Sequence, residues 1–166
     1  MITIDVQVTD AGASRKLQEL IDKGADLTPV YATIGRVLVN RIRLGFKMGT
    51  SPYGNAWAKL KIRRGEPLRD TGRLQRSITA RADASGVVIG TNLKQAPVHQ
   101  FGATINAKPG RRLVFPGPGG RLIFAKRVTI PARPFMPLVS RNKVDLPADW
   151  ALSASRALRD YFKVRG

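Results

Sequence analysis

The chain is 166 residues long, with 29 Lys or Arg against 11 Asp or Glu, a formal net charge of +18, one histidine and no cysteine. A chain of this length buries about 70% of its unfolded surface and holds a core unaided, and the lack of cysteine excludes disulfide scaffolds, zinc ribbons, iron–sulfur sites and thiol nucleophiles. Apolar residues make up 43%, too many for a disordered polycation, and a charge well above the magnitude of about 2–8 that solubility needs points to a polyanionic partner: nucleic acid, an anionic membrane or an acidic protein surface.

Met1–Val8 alternates Ile2, Ile4, Val6 and Val8 with polar residues, which predicts a half-buried strand; its polar residues and lack of a basic start do not resemble a secretory signal. Ser14 is placed to cap a short helix ending at Gly24, with Leu17, Leu20 and Ile21 on one face. Thr28-Pro29 predicts a second helix, a capping hydroxyl followed by proline in the first turn. It should run to about Lys47, with Val30, Ile34, Val37, Leu38 and Ile42 packed on a sheet and Arg36, Arg43 and Lys47 turned outward.

Gly49–Asn55 is a loop by composition. Trp57 and Leu60 follow in a basic stretch, and Thr71 caps a short helix carrying Leu74 and Ile78. Ser77–Ala82 and Val87–Thr91 predict a hairpin turned at Asp83–Gly86. Gln95–Phe101 predicts one or two helical turns stopped by Gly102. Ala103–Arg127 is long for a connection and contains two like segments, Arg112-Leu113-Val114-Phe115 and Arg121-Leu122-Ile123-Phe124, around a Pro-Gly-rich turn. It predicts an extended hairpin arm, which needs something to lie on because isolated hairpins are marginal. Val128–Ile130 resumes a strand, and Pro131, Pro134 and Pro137 make a stiff turn. Pro147 and Asp149 open a last amphipathic helix with Trp150, Ala154, Ala157, Leu158 and Tyr161 on one face. The expected fold is of α/β class, α+β in type: one domain over 1–166, a small antiparallel sheet packed by two or three helices, and a protruding arm at 103–127.

The positive charge is regional. Leu27–Gly65 and Ala84–Val144 contain no acid, and the second window holds ten Lys or Arg. Arg111, Arg112, Arg121, Lys126 and Arg127 make the arm basic, suited to DNA phosphates or to an acidic partner. Leu113, Phe115, Leu122 and Phe124 are its candidate interface residues. Pro134, Phe135 and Met136 form a proline-flanked apolar knob, for the core or for a seam between subunits. Catalysis finds little support. Asp70-Thr71-Gly72 matches the aspartic-protease triplet but lacks the apolar strand before it and a facing carboxylate, and helix capping explains it. His99 has no acid within ten residues and reads as a packed or interface imidazole. No phosphate loop is present. No catalytic, cofactor-binding or metal-ligating residue is assigned, and no cofactor is expected.

Taken in order, Ser51-Pro52-Tyr53-Gly54 with Trp57 and Leu60-Lys61, the run Leu68–Ile78, Val88–Thr91, Ala96–Gly102 and Ile130–Phe135 resemble the phage virion morphogenesis family of Mu-like and P2-like tailed phages, over about residues 30–140. The resemblance implies a structural protein of the virion, without enzymatic activity, that acts in tail completion or head–tail joining. It implies a homo-oligomeric ring, typically hexameric, that is assembled in the host cytoplasm and caps the tail tube at the neck. Its partners would be the tail tube protein and head–tail connector proteins, with DNA passing through the lumen without sequence specificity. No apolar run approaches the length of about 18 residues that a membrane span needs, so no membrane is expected. The charge alone supports another reading, a sequence-nonspecific nucleic-acid-binding protein.

Overall fold

The computed structural model describes residues 3–4, 11–22, 25–61, 64–140 and 143–165. Its axis is helix α2 (Thr28–Met48). Pro29 sits in the first turn as expected, but Thr28 is the first helical residue and not the cap: Leu27 holds the N-cap position without a side-chain bond, and the Asp26 carboxylate before it accepts the Thr28 backbone N–H at 2.9 Å. The buried stripe is Val30, Ile34, Gly35, Leu38, Val39, Ile42 and Phe46. It runs one turn further than the predicted stripe. Val39 takes the buried place assigned to Val37, which is half-buried.

That stripe meets a three-stranded antiparallel sheet in the order β1 (Thr3–Ile4), β3 (Val87–Gly90), β2 (Thr79–Ala82). β2 and β3 are the expected hairpin, and their turn is fixed by Asp83, whose Oδ1 accepts the Ser85 and Gly86 backbone N–H groups and the Ser85 hydroxyl. Val87 and Ile89 of the central strand are fully buried. Gly35 is what lets the helix approach: a Cβ there would lie 2.9 Å from Ala80 Cβ and Val87 Cγ2, too close for any side chain. Of the predicted N-terminal strand only Thr3 and Ile4 fall among the described residues.

The other side of α2 is covered by α5 (Ala148–Arg165), which buries Trp150, Ala154 and Leu158 as its sequence pattern predicts. Arg41 ties the two together, donating to Ser153 Oγ and lying 3.6 Å from the Asp149 carboxylate. Helix α1 (Ala11–Asp22) leans on α5. It begins three residues before Ser14, so Ser14 lies within the helix and is not its cap. Leu17 and Leu20 are half-buried, and Ile21, expected on the same face, is 47% exposed. The short α3 (Arg73–Arg76) is entered through Thr71, whose hydroxyl accepts the Arg73 N–H, and it is followed directly by buried Ile78. The one-turn α4 (Ala96–Phe101) leads into two further ladders, β4 (Ala103–Asn106) with β7 (Arg127–Ile130) and β5 (Leu113–Pro116) with β6 (Leu122–Ala125). A small hairpin, β8 (Val139–Ser140) with β9 (Lys143–Val144), has no counterpart in the predicted elements. Five α-helices and small antiparallel sheets among the described residues make this an α+β fold, as expected. Among the described residues, no helix is long and apolar enough to cross a membrane.

Candidate assembly site: a polar hub and the arm it holds

The family-like blocks lie far apart in sequence, and the fold brings three of them together. Pro131–Leu138 runs across the end of α2, and its backbone is held by side chains from two other blocks. Trp57 Nε1 donates to Pro134 O at 2.8 Å. Gln100 is buried and uses its whole amide: Nε2 donates to Met136 O at 2.8 Å, and Oε1 accepts the Phe135 and Met136 N–H groups at 3.0 and 3.1 Å. Tyr53 Oη accepts the Leu138 N–H at 2.8 Å and donates to Asp145 O at 2.9 Å. Burial and the nearby Asp145 carboxylate push the Tyr53 hydroxyl above the usual phenol range, partly offset by the bond from Leu138. Arg133 in turn holds the segment that follows Trp57. Its buried guanidinium donates to Ala58 O at 2.8 Å and Lys59 O at 3.3 Å. Buried polar groups are tolerated when bonded in this way, and the result fixes a loop with no regular structure of its own.

Phe135 and Met136 belong to this hub and to the core, 3% and 5% exposed. The Phe135 ring lies 5.5 Å from Phe46, and Phe46 meets Trp57 edge-on at 5.4 Å. The proline-flanked knob is therefore turned inward, because three side chains pull its backbone onto the body; Pro134 beside it is half-buried. Of the two readings open from sequence, core packing holds for Phe135 and Met136.

The hub also anchors the arm. The Arg133 N–H donates to His99 O at 2.8 Å, closing the chain on either side of the β4–β7 ladder. Between them Gly102, at φ +73, passes so close that a Cβ would lie 2.8 Å from Ala132 N; only glycine fits. From Ala103↔Ile130 the ladder rises to Asn106↔Arg127, then resumes as Leu113↔Ala125 to Pro116↔Leu122. The arm is thus a hairpin over 103–130, slightly longer than expected, and among the described residues its strands share no sheet with the body.

The register decides which way the arm's side chains face. Directly paired residues share a face, so Leu113, Phe115, Ile123 and Ala125 line one side and Val114, Pro116, Leu122 and Phe124 the other. The two like segments are offset by nine residues, an odd number, so in this antiparallel pairing they fall on opposite faces. The four expected interface residues do not form one patch. Leu113 and Phe115 share a half-buried face, while Leu122 and Phe124 lie on a second face with Val114, at 60%, 57% and 53% exposure. Both sides of the ribbon are apolar. Arg111, Arg112, Arg121, Lys126 and Arg127 are all exposed, but Arg121 stands at the tip, beyond the last ladder pair, while the other four gather at mid-arm.

His99, the chain's one histidine, lies half-buried at the arm's base. Its Nδ1 is buried without a hydrogen-bond partner. Burial first, and the Arg133 charge second, hold its pKa below the usual 6.5. A base with a depressed native pKa favours the neutral form on folding, so its contribution is complete above about pH 6.5 and is lost as pH falls below that toward the native value. Thermal melts should show stability falling as the pH drops below about 6.5, and His99→Gln should flatten that part of the profile. A slope unchanged by the substitution would place the titrating group elsewhere.

Among the described residues no three His, Cys, Asp or Glu side chains come together as a metal site. The model of the phage virion morphogenesis family matches residues 8–146, and the chain belongs to that family: it is a structural and morphogenetic component of a phage virion. The match reaches beyond the sequence blocks to take in α1, leaving α5 outside. The chain is 31% identical, over 162 residues and 97% of both chains, to the Mu-like prophage FluMu G protein 2 of Haemophilus influenzae. No solved structure matches it.

Proposed function

We propose that this protein is a tail-completion protein of the virion neck, closing into a six-membered ring that caps the tail tube and presents a docking face to the head connector, with DNA passing through its lumen. The observation that carries the reading is the arm. A two-stranded ribbon is marginal alone, and this one exposes Val114, Leu122 and Phe124 with no sheet of its own subunit to cover them. A patch on one copy that meets a different surface on the next is the contact that generates rings. Leu113 and Phe115 can complete the seam from the other face. Phe135 and Met136 are no longer part of that seam. Tail tube and connector proteins are then the axial partners.

The experiment is removal of Leu113–Ala125 with a short glycine bridge from Arg112 to Lys126. Because the core and the hub lie outside this segment, the shortened chain should fold and melt near the parent temperature. It should not form rings in light scattering, and it should not restore head–tail joining when supplied to tails lacking this protein. Rings that persist without the segment would remove the arm from assembly. A parent chain that stays monomeric while binding short duplex tightly would favour the reading as a nucleic-acid-binding protein, which the net charge of +18 also supports.

A further inference from the structure

The arm's two ladders do not share a register. The lower ends where the Ala107 N–H meets Lys126 O at 2.8 Å, and the upper begins at Leu113↔Ala125. Lys126 and Ala125 are consecutive, yet five residues, Lys108–Arg112, separate the matching positions on the other strand. The extra residues leave the ribbon as a loop, turned by the Arg111 N–H bonding Lys108 O at 3.0 Å. Insertions of this kind bend a ribbon and re-aim its side chains. Here they bring Lys108, Arg111 and Arg112 out beside Lys126, one residue beyond the Asn106↔Arg127 pair. All five are exposed, and the sequence from Ala84 to Val144 contains no acid.

We infer that this bulge is a contact site for the phosphodiester backbone of duplex DNA. Its composition separates phosphate from an acidic protein face. Protein interfaces combine an apolar centre with depleted charge, whereas the bulge is cationic apart from Pro109 and Gly110, and the arm's most exposed apolar side chains, Val114, Leu122 and Phe124, lie on β5 and β6, with Ile105 less exposed on β4. Guanidinium and ammonium groups without base-reading partners position a protein on a duplex and carry no sequence preference. The assignment drops Arg121, which lies at the tip, and adds Lys108. It rests on the neck reading for where the duplex is met, but the contact belongs to the free protein and is testable apart from ring formation.

The test measures binding of the full chain to a fluorescent 20-base-pair duplex at about 50 to 200 mM salt. Five neutralised phosphates give a log–log slope near −4.5, at about −0.9 per phosphate. The variant Lys108→Gln/Arg111→Gln/Arg112→Gln should bring the slope toward about −1.8, with light-scattering mass and melting temperature unchanged. A control variant, Arg69→Gln/Arg73→Gln/Arg81→Gln, removes three exposed cations elsewhere and should leave the slope near the parent's. An equal slope in parent and bulge variant, an equal loss in the control, no duplex binding at about 50 mM salt, or preference for polyglutamate over duplex would each overturn the inference. A parent that forms no ring but shows the expected slopes would leave it standing and count against the ring alone.

Discussion

Gln100→Leu should destabilise the protein by about 3 kcal/mol or more. Leucine fills much of the space but supplies no polar atom. The Phe135 and Met136 N–H groups and the Met136 carbonyl, now bonded at 2.8–3.1 Å by one buried amide, would be left buried without partners. Each such group costs about 1–3 kcal/mol. Urea unfolding is the measure: the midpoint should fall with little change in slope. Because the same segment closes the arm's base through Arg133 and His99, native-state proteolysis near Gly102 and Pro131 should accelerate as well. A midpoint shift worth less than about 0.5 kcal/mol would show that water or a rearranged loop satisfies these groups, and that the hub is not what fixes the segment.

Phe135→Asp should leave no folded protein under ordinary conditions. Truncating a buried phenylalanine costs about 3–5 kcal/mol, and placing a carboxylate against Phe46 adds the desolvation of a buried charge. Together these approach the whole stability of a small domain, about 5–15 kcal/mol. Expression would yield insoluble or protease-sensitive chain, while Phe135→Leu should fold with a lowered melting temperature. The opposite outcome, an Asp variant that melts normally and fails only in joining tails to heads, would return Phe135 to an exposed seam.

The sequence carried the regular elements well because their signals are local. α2 could be read from its apolar spacing and from Pro29, the β2–β3 hairpin from Asp83–Gly86, and α5 from Trp150, Ala154 and Leu158. The helix starts were less legible. Thr28 has the right chemistry for a cap, but it is already the first helical residue, its own backbone N–H bonded by Asp26 two residues earlier, and Ser14 lies inside a helix that begins at Ala11. The arm was visible from its length and its paired apolar segments, but the faces of those segments were not. They depend on an antiparallel register fixed only when Ala107 meets Lys126 and five residues loop out. Translational likeness between Leu113–Phe115 and Leu122–Phe124 suggested one patch, and the pairing makes two.

Phe135 shows a different limit. Prolines on both sides describe a stiff loop accurately, and stiffness gives no direction. What turns the ring inward is Gln100, 35 residues away, together with Trp57, 78 residues away. An amide near Phe101-Gly102 has no sequence signature as a loop clamp. The family-like blocks held that information in another form: Tyr53, Trp57, Gln100 and Arg133 are the residues whose side chains knit the hub.

The most direct test of the ring reading is a map of completed tails at residue detail. The expected result is a six-fold ring of this chain at the head-proximal end of the tube, each arm from Ala103 to Ile130 lying on the adjacent copy with Leu122 and Phe124 covered. A tail end without this chain, or arms folded back on their own subunits with those side chains still open to solvent, would contradict it.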